Sequence, residues 1–225
     1  MSPGPPDAGP SAAPGSGSRG RILPRRGERF IKICGVMSVD LARAAAEAGA
    51  DAIGLMFAPS SPRCIGRDLA LEIAASLPSH VTPVAVFQDA HVDEINAWPH
   101  EWVQLHGGED ETLIASIRAG HSVIRGFRFD EAQARRWDAC PGVDALIIDG
   151  SVGGKGKAFD HARLAAMMPE ISTPVILAGG LTAGNVRDAI AAVQPFGVDV
   201  SSGVERERGV KDQAMIRVFC EAVRG

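Results

Sequence analysis

The sequence predicts an α/β protein built as a single closed (β/α)₈ barrel, and three observations carry that prediction. Short apolar runs alternate with segments of helical period eight times between residues 29 and 225. Such alternation implies a parallel sheet, because each helical crossover returns the chain in the same direction. No GxGxxG follows the first strand, and polar, glycine-rich segments follow several different strands. That pattern favours closure over an open, doubly wound sheet with one crevice.

Taken in order, Arg29 to Cys34 reads as the first strand, and Ser38 is placed to cap a helix running through Ala48. Gly49 falls where a helix C-terminal glycine belongs. Asp51 to Phe57 is the second strand; the loop APSSPR and a helix from Asp68 to Leu77 follow, stopped by Pro78. The remaining strands are Pro83 to Phe87, Trp102 to Leu105, Ser122 to Phe127, Ala145 to Asp149, Pro174 to Ala178 and Gly197 to Val200. Helical segments follow at His91 to Ala97, Asp110 to Arg118, Asp130 to Trp137, Asp160 to Met168, Ala183 to Val193 and Lys211 to Val223. The first 28 residues, MSPGPPDAGPSAAPGSGSRG and its continuation, are rich in Pro, Gly, Ser and Ala and lack an apolar segment. They are expected to form a disordered extension rather than a secretory signal. An organelle transit peptide fits less well, since prolines are many and an amphipathic pattern is missing.

Composition narrows the function. A formal charge of −4 provides no basic surface for nucleic acid, and no apolar run approaches the roughly 18 residues of a membrane helix. Cys34, Cys64, Cys140 and Cys220 show neither CxxC nor zinc-site spacing, so reduced thiols in a cytoplasmic protein and no metal are expected. An anionic ligand must then be held by local devices such as backbone amides and a few placed cations.

Barrel sites lie where strands end. Cys34 ends strand one; Asp149 ends strand six after three apolar residues; Arg63 sits in the loop after strand two. Each has a plainer alternative: a buried small thiol, a helix cap, a surface arginine. The loops after strands six, seven and eight carry glycines at Gly154, Gly156, Gly179, Gly180 and Gly203, with Ser201 and Ser202 beside the last. Converging amides and hydroxyls at these positions suit a phosphate, so a phosphorylated small molecule is the expected ligand. Lys32 shares the face of Cys34 if strand one is regular; otherwise it faces solvent.

The blocks KICG (32–35), GADAIGLMFAPSSPR (49–63), VQLHG (103–107), GGKGKAFD (153–160), LAGGLTAGNV (177–186) and GVDVSSGVE (197–205) resemble those of the phosphoribosylanthranilate isomerase family. They occur in that family's order and span nearly everything after the tail. The resemblance implies a TIM barrel that rearranges N-(5-phosphoribosyl)anthranilate in tryptophan biosynthesis without metal or organic cofactor, as a monomer or homodimer. It also implies Asp149 as general acid, Cys34 as general base, Arg63 on the anthranilate carboxylate, and the three glycine loops on the phosphate. Lys155, Gln88-Asp89 and His161 depart from the family's usual residues; His106 is expected to be structural or to line the substrate rather than to move protons. Rival readings are a histidine-pathway barrel isomerase, which would favour an aspartate where Cys34 stands, and a catalytically silent binding barrel.

The assigned roles set a demand. With ordinary pKa values, about 3% of the thiol is ionised and about 0.1% of the carboxyl protonated at pH 7, so the doubly correct form is about 3 in 100,000. The site is therefore expected to raise the carboxyl of Asp149 by burial and to lower the thiol of Cys34 with nearby cations.

Overall fold

In the computed structural model, which describes residues 28–150 and 161–225, eight parallel strands close into a barrel in the order β1 to β8, with β8 paired to β1. The strands are β1 (Phe30–Cys34), β2 (Ala52–Met56), β3 (Thr82–Phe87), β4 (Trp102–Leu105), β5 (Ser122–Arg128), β6 (Ala145–Asp149), β7 (Val175–Ala178) and β8 (Gly197–Val200). The helices between and after them are α1 (Val39–Glu47), α2 (Arg67–Ser76), α3 (Val92–Asn96), α4 (Glu111–Ile117), α5 (Glu131–Asp138), α6 (His161–Met167), α7 (Val186–Val193) and α8 (Gln213–Arg224). The expected N-terminal extension and the expected phosphate ligands Gly154 and Gly156 lie outside the described residues.

Alternation along each strand divides the core in two. Ile31 and Ile33 of β1, Ile53 and Leu55 of β2, and Leu146 and Ile148 of β6 face outward and join the helices in one apolar cluster. Phe30, Ala52, Val84, Trp102, Ile124, Ala145, Ile147 and Ile176 face inward and fill the floor of the barrel as a second cluster. The inward positions nearer the strand ends are polar, among them Lys32, Gln104 and Asp199. β1 is regular and all five of its residues are buried, so Lys32 points inward with Cys34. The solvent-facing alternative for Lys32 is excluded, since the residue is 0% exposed.

Caps set most helix starts where the sequence indicates. The Ser38 hydroxyl accepts from the Leu41 amide, and the carboxylates of Asp110, Asp130 and Asp212 do the same for α4, α5 and α8. Two starts differ from expectation. α7 begins at Val186 rather than Ala183, because Asn185 ties the preceding turn instead, accepting from the Thr182 amide and donating to the Gly180 carbonyl. α8 begins at Gln213 rather than Lys211, because β8 is followed by a 3₁₀ turn (Ser202–Val204) and a two-stranded hairpin of β9 (Glu205–Glu207) and β10 (Val210–Lys211). Strands of three and two residues leave almost no period to read.

Candidate active site

The interior ends of β1 and β6, separated around the barrel by β7 and β8, place Cys34 and Asp149 on one cleft of about 450 Å³. The same cleft is lined by Arg63 and by Gly179, Gly180, Ser201, Ser202 and Gly203. Every described candidate residue therefore meets at one mouth. Asp149 is the last residue of β6 and lines this cleft.

The two loops that follow β7 and β8 pack tightly against each other. A Cβ on Gly203 would stand 1.8 Å from the Leu181 carbonyl oxygen, so only glycine permits this approach. The amides of Ser202 and Gly203 lead the 3₁₀ turn at the edge of the cleft, and among the described residues they donate to no backbone partner.

Cys34 sits in a charged neighbourhood that its apolar strand does not suggest. Lys32 Nζ lies 2.9 Å from the Asp199 carboxylate, and its charge also acts on the thiol. Lys211 of β10 adds a second cation near the sulfur. Burial nevertheless pushes the thiol of Cys34 up; Lys32 and Lys211 pull it down and Asp199 pushes it up again, for a net rise. The net rise corrects the expectation that nearby cations leave the thiol lowered. Desolvation of the thiolate outweighs them. The ammonium of Lys32 moves the opposite way to a lone buried lysine: burial would lower it, but Asp199 and Cys34 hold it raised and therefore charged.

Arg63 is partly committed within the protein. It lines the cleft, but Nε and Nη2 form a fork on Glu205 at 2.6 and 2.7 Å, so two of its three nitrogens are engaged within the protein. Gly35 makes room for this pose: its φ is +74°, and a Cβ there would stand 2.4 Å from Arg63 Cδ. Glu205 also accepts from Lys211 Nζ at 3.0 Å and from the Gly209 amide. Burial would raise its carboxyl, yet the bonds from Arg63, Gly209 and Lys211 hold it down at about 2. Sequence reasoning missed Glu205, Asp199 and Lys211; the only available signal was an acidic or basic residue inside or just beyond an apolar strand, as at Asp199.

Across the cleft, His106 pairs its Nδ1 with the Gln104 side-chain amide at 3.0 Å. Burial lowers the imidazole pKa, so it is neutral there, in line with a lining role. Among the described residues no three His, Cys, Asp or Glu side chains cluster to hold a metal ion, and no helix is long and apolar enough to cross a membrane.

Fold and cleft together define a (β/α)₈-barrel enzyme, with a thiol, a carboxyl and two glycine-bearing loops sharing the mouth. Residues 31–222 match the sequence profile of the N-(5′-phosphoribosyl)anthranilate (PRA) isomerases, and the chain belongs to that family. The N-(5′-phosphoribosyl)anthranilate isomerase of Pseudomonas paraeruginosa is 44% identical over 203 residues, which cover 86% of this chain and 94% of that protein. The solved phosphoribosyl anthranilate isomerase from Thermotoga maritima matches with a TM-score of 0.80 at 34% identity, covering 88% of this chain and 99% of the other. A further solved phosphoribosyl anthranilate isomerase, in complex with reduced 1-(o-carboxyphenylamino)-1-deoxyribulose 5-phosphate, matches with a TM-score of 0.77 at 33% identity, again over 88% and 99% of the two chains.

Proposed function

We propose that this protein converts N-(5-phosphoribosyl)anthranilate to 1-(2-carboxyphenylamino)-1-deoxyribulose 5-phosphate, the Amadori step of tryptophan biosynthesis. The observation that carries the reading is the convergence of Cys34, Asp149 and the two described glycine loops on one cleft at the strand ends. A relative of the same fold binds a reduced form of the corresponding product.

Asp149 donates its proton to the ribose ring oxygen as the C1′–O bond breaks, and the nitrogen lone pair becomes the C1′=N⁺ bond of an iminium. Cys34, as thiolate, takes the proton from C2′; the C–H electrons form C1′=C2′ and neutralise the nitrogen. The resulting enolamine relaxes to the ketone. A thiol held up by burial is a strong base once ionised, and the cationic iminium favours its ionised form at the moment it is needed. Gly179, Gly180, Ser201, Ser202 and Gly203 hold the phosphate, with Gly154 and Gly156 assigned to the same task. Arg63, through the nitrogen outside its fork with Glu205, meets the anthranilate carboxylate.

The test is direct. Purified protein given N-(5-phosphoribosyl)anthranilate should quench its fluorescence as product forms. Cys34→Ala and Asp149→Asn should each lower kcat by about 10³-fold or more with unchanged circular dichroism. Near-normal turnover in either variant would remove that residue from the mechanism, and no turnover by the wild type would leave a binding barrel.

A further inference from the structure

The barrel interior holds a charged group that the proposed chemistry does not use. Lys32 is fully buried, and its partner Asp199 is 8% exposed. The two are register partners on neighbouring strands β1 and β8, so closure of the barrel itself brings them face to face. Buried ion pairs are seldom net stabilisers, because desolvation of both charges offsets their attraction. The apolar floor just below shows that this barrel fills space with Phe30, Ala52 and Ile147 where no charge is wanted. The pair also has space cleared for it. Ala52 is level with Lys32, and Gly54 is level with Cys34. A Cβ on Gly54 would stand 2.8 Å from Cys34 Sγ and 3.0 Å from Lys32 Nζ, so sulfur and ammonium converge on one gap left by a missing side chain.

We infer that Lys32 and Asp199 act as a positioning pair for Cys34: Asp199 fixes the Lys32 ammonium beside the sulfur, where it serves as the counter-ion of the thiolate. The inference rests on Cys34 being the base, but the wiring can be tested without turnover. The groups facing the sulfur are Lys32 on the same strand, Asp199 on β8, Lys211 on β10 and Arg63 after β2; His106 and Asp149 line the far side of the cleft. Lys32 is the cation with the largest hold on it. The pair is built so that its two charges act on the thiol in opposite senses. Removing the ammonium must make the thiolate harder to form, and removing the carboxylate must make it easier.

The experiment is the pH dependence of iodoacetamide alkylation at Cys34, resolved by peptide mass, in a Cys64→Ser background that removes the exposed thiol. Lys32→Met should move the alkylation profile up by about one pH unit or more, a roughly tenfold slower reaction at neutral pH. Asp199→Asn should move it down. A merely structural pair would shift both variants the same way or neither, and either result overturns the inference. Should Lys32→Met fail to fold, Lys32→Arg replaces it: retaining the cation should leave the profile near that of the wild type while Asp199→Asn moves it down, and a profile that Asp199→Asn leaves in place or raises overturns the inference. If Cys34→Ala retains full turnover while the opposed shifts are seen, the wiring stands and its catalytic use does not.

Discussion

At the scale of single residues, the site shows how far a side chain's chemistry depends on neighbours from distant sequence. Cys34 is a small thiol at the end of an apolar strand, and burial alone makes it a poor source of thiolate. Lys32 and Lys211 oppose that effect, and the proposed role of the thiol as base depends on them and on the gap left at Gly54. Gly54→Ala should therefore cost activity far more than stability: kcat/KM is expected to fall about tenfold or more, measured against a urea midpoint. An unchanged kcat/KM would show that the gap is not needed. Glu205 makes a separate prediction. Its carboxyl is held at about 2 by Arg63, Gly209 and Lys211, below its unfolded value of about 4.3. The resulting stability is present above pH ~4.3 and lost as pH falls toward 2, amounting to about 3 kcal/mol at most. Glu205→Gln should flatten that acid limb of the stability profile; an unaltered limb would place the titration elsewhere.

At the scale of elements, the strands were legible and the short hairpin was not. β4, β6 and β8 have the limits read from the sequence, because apolar runs bounded by turn residues mark a buried strand locally. Arg63 was legible as a strand-end arginine, but its commitment to Glu205 was not, since that depends on β9, too short to show a period. The loops after β7 and β8 shape each other through the close approach of Gly203 to the Leu181 carbonyl. Gly203→Ala should push them apart, raising KM for the phosphorylated substrate about tenfold or more with a smaller change in kcat. A KM that does not move would detach this loop from phosphate binding.

At the scale of the whole molecule, the barrel is locked where its ends meet. Arg224, in the last turn of α8, donates to the carbonyls of Arg29 and Gly49 and pairs with Asp51 and Glu28. The Asp51 carboxylate in turn accepts from the Ile31 amide within the first strand. One side chain thus joins the C-terminus to the first βα unit, on the face away from the cleft residues. Arg224→Ala should lower stability by about 1–3 kcal/mol, seen as a lower urea midpoint with an unchanged slope, while kcat at low denaturant stays near wild type. Loss of activity in a fully folded variant would contradict this separation of scaffold from site.

The order of elements, the parallel and closed sheet and the strand-end residues are properties of the sequence alone, because period, turn residues and caps act over a few positions. The meeting of buried charges was decided only by the tertiary structure. Lys32 and Asp199 are 167 residues apart, and Arg63 and Glu205 are 142 apart. Their pairing follows from the register in which β8 closes on β1 and from a hairpin laid over that seam. Neither leaves a local mark, since an ion pair is a statement about two places in space and the sequence records them separately.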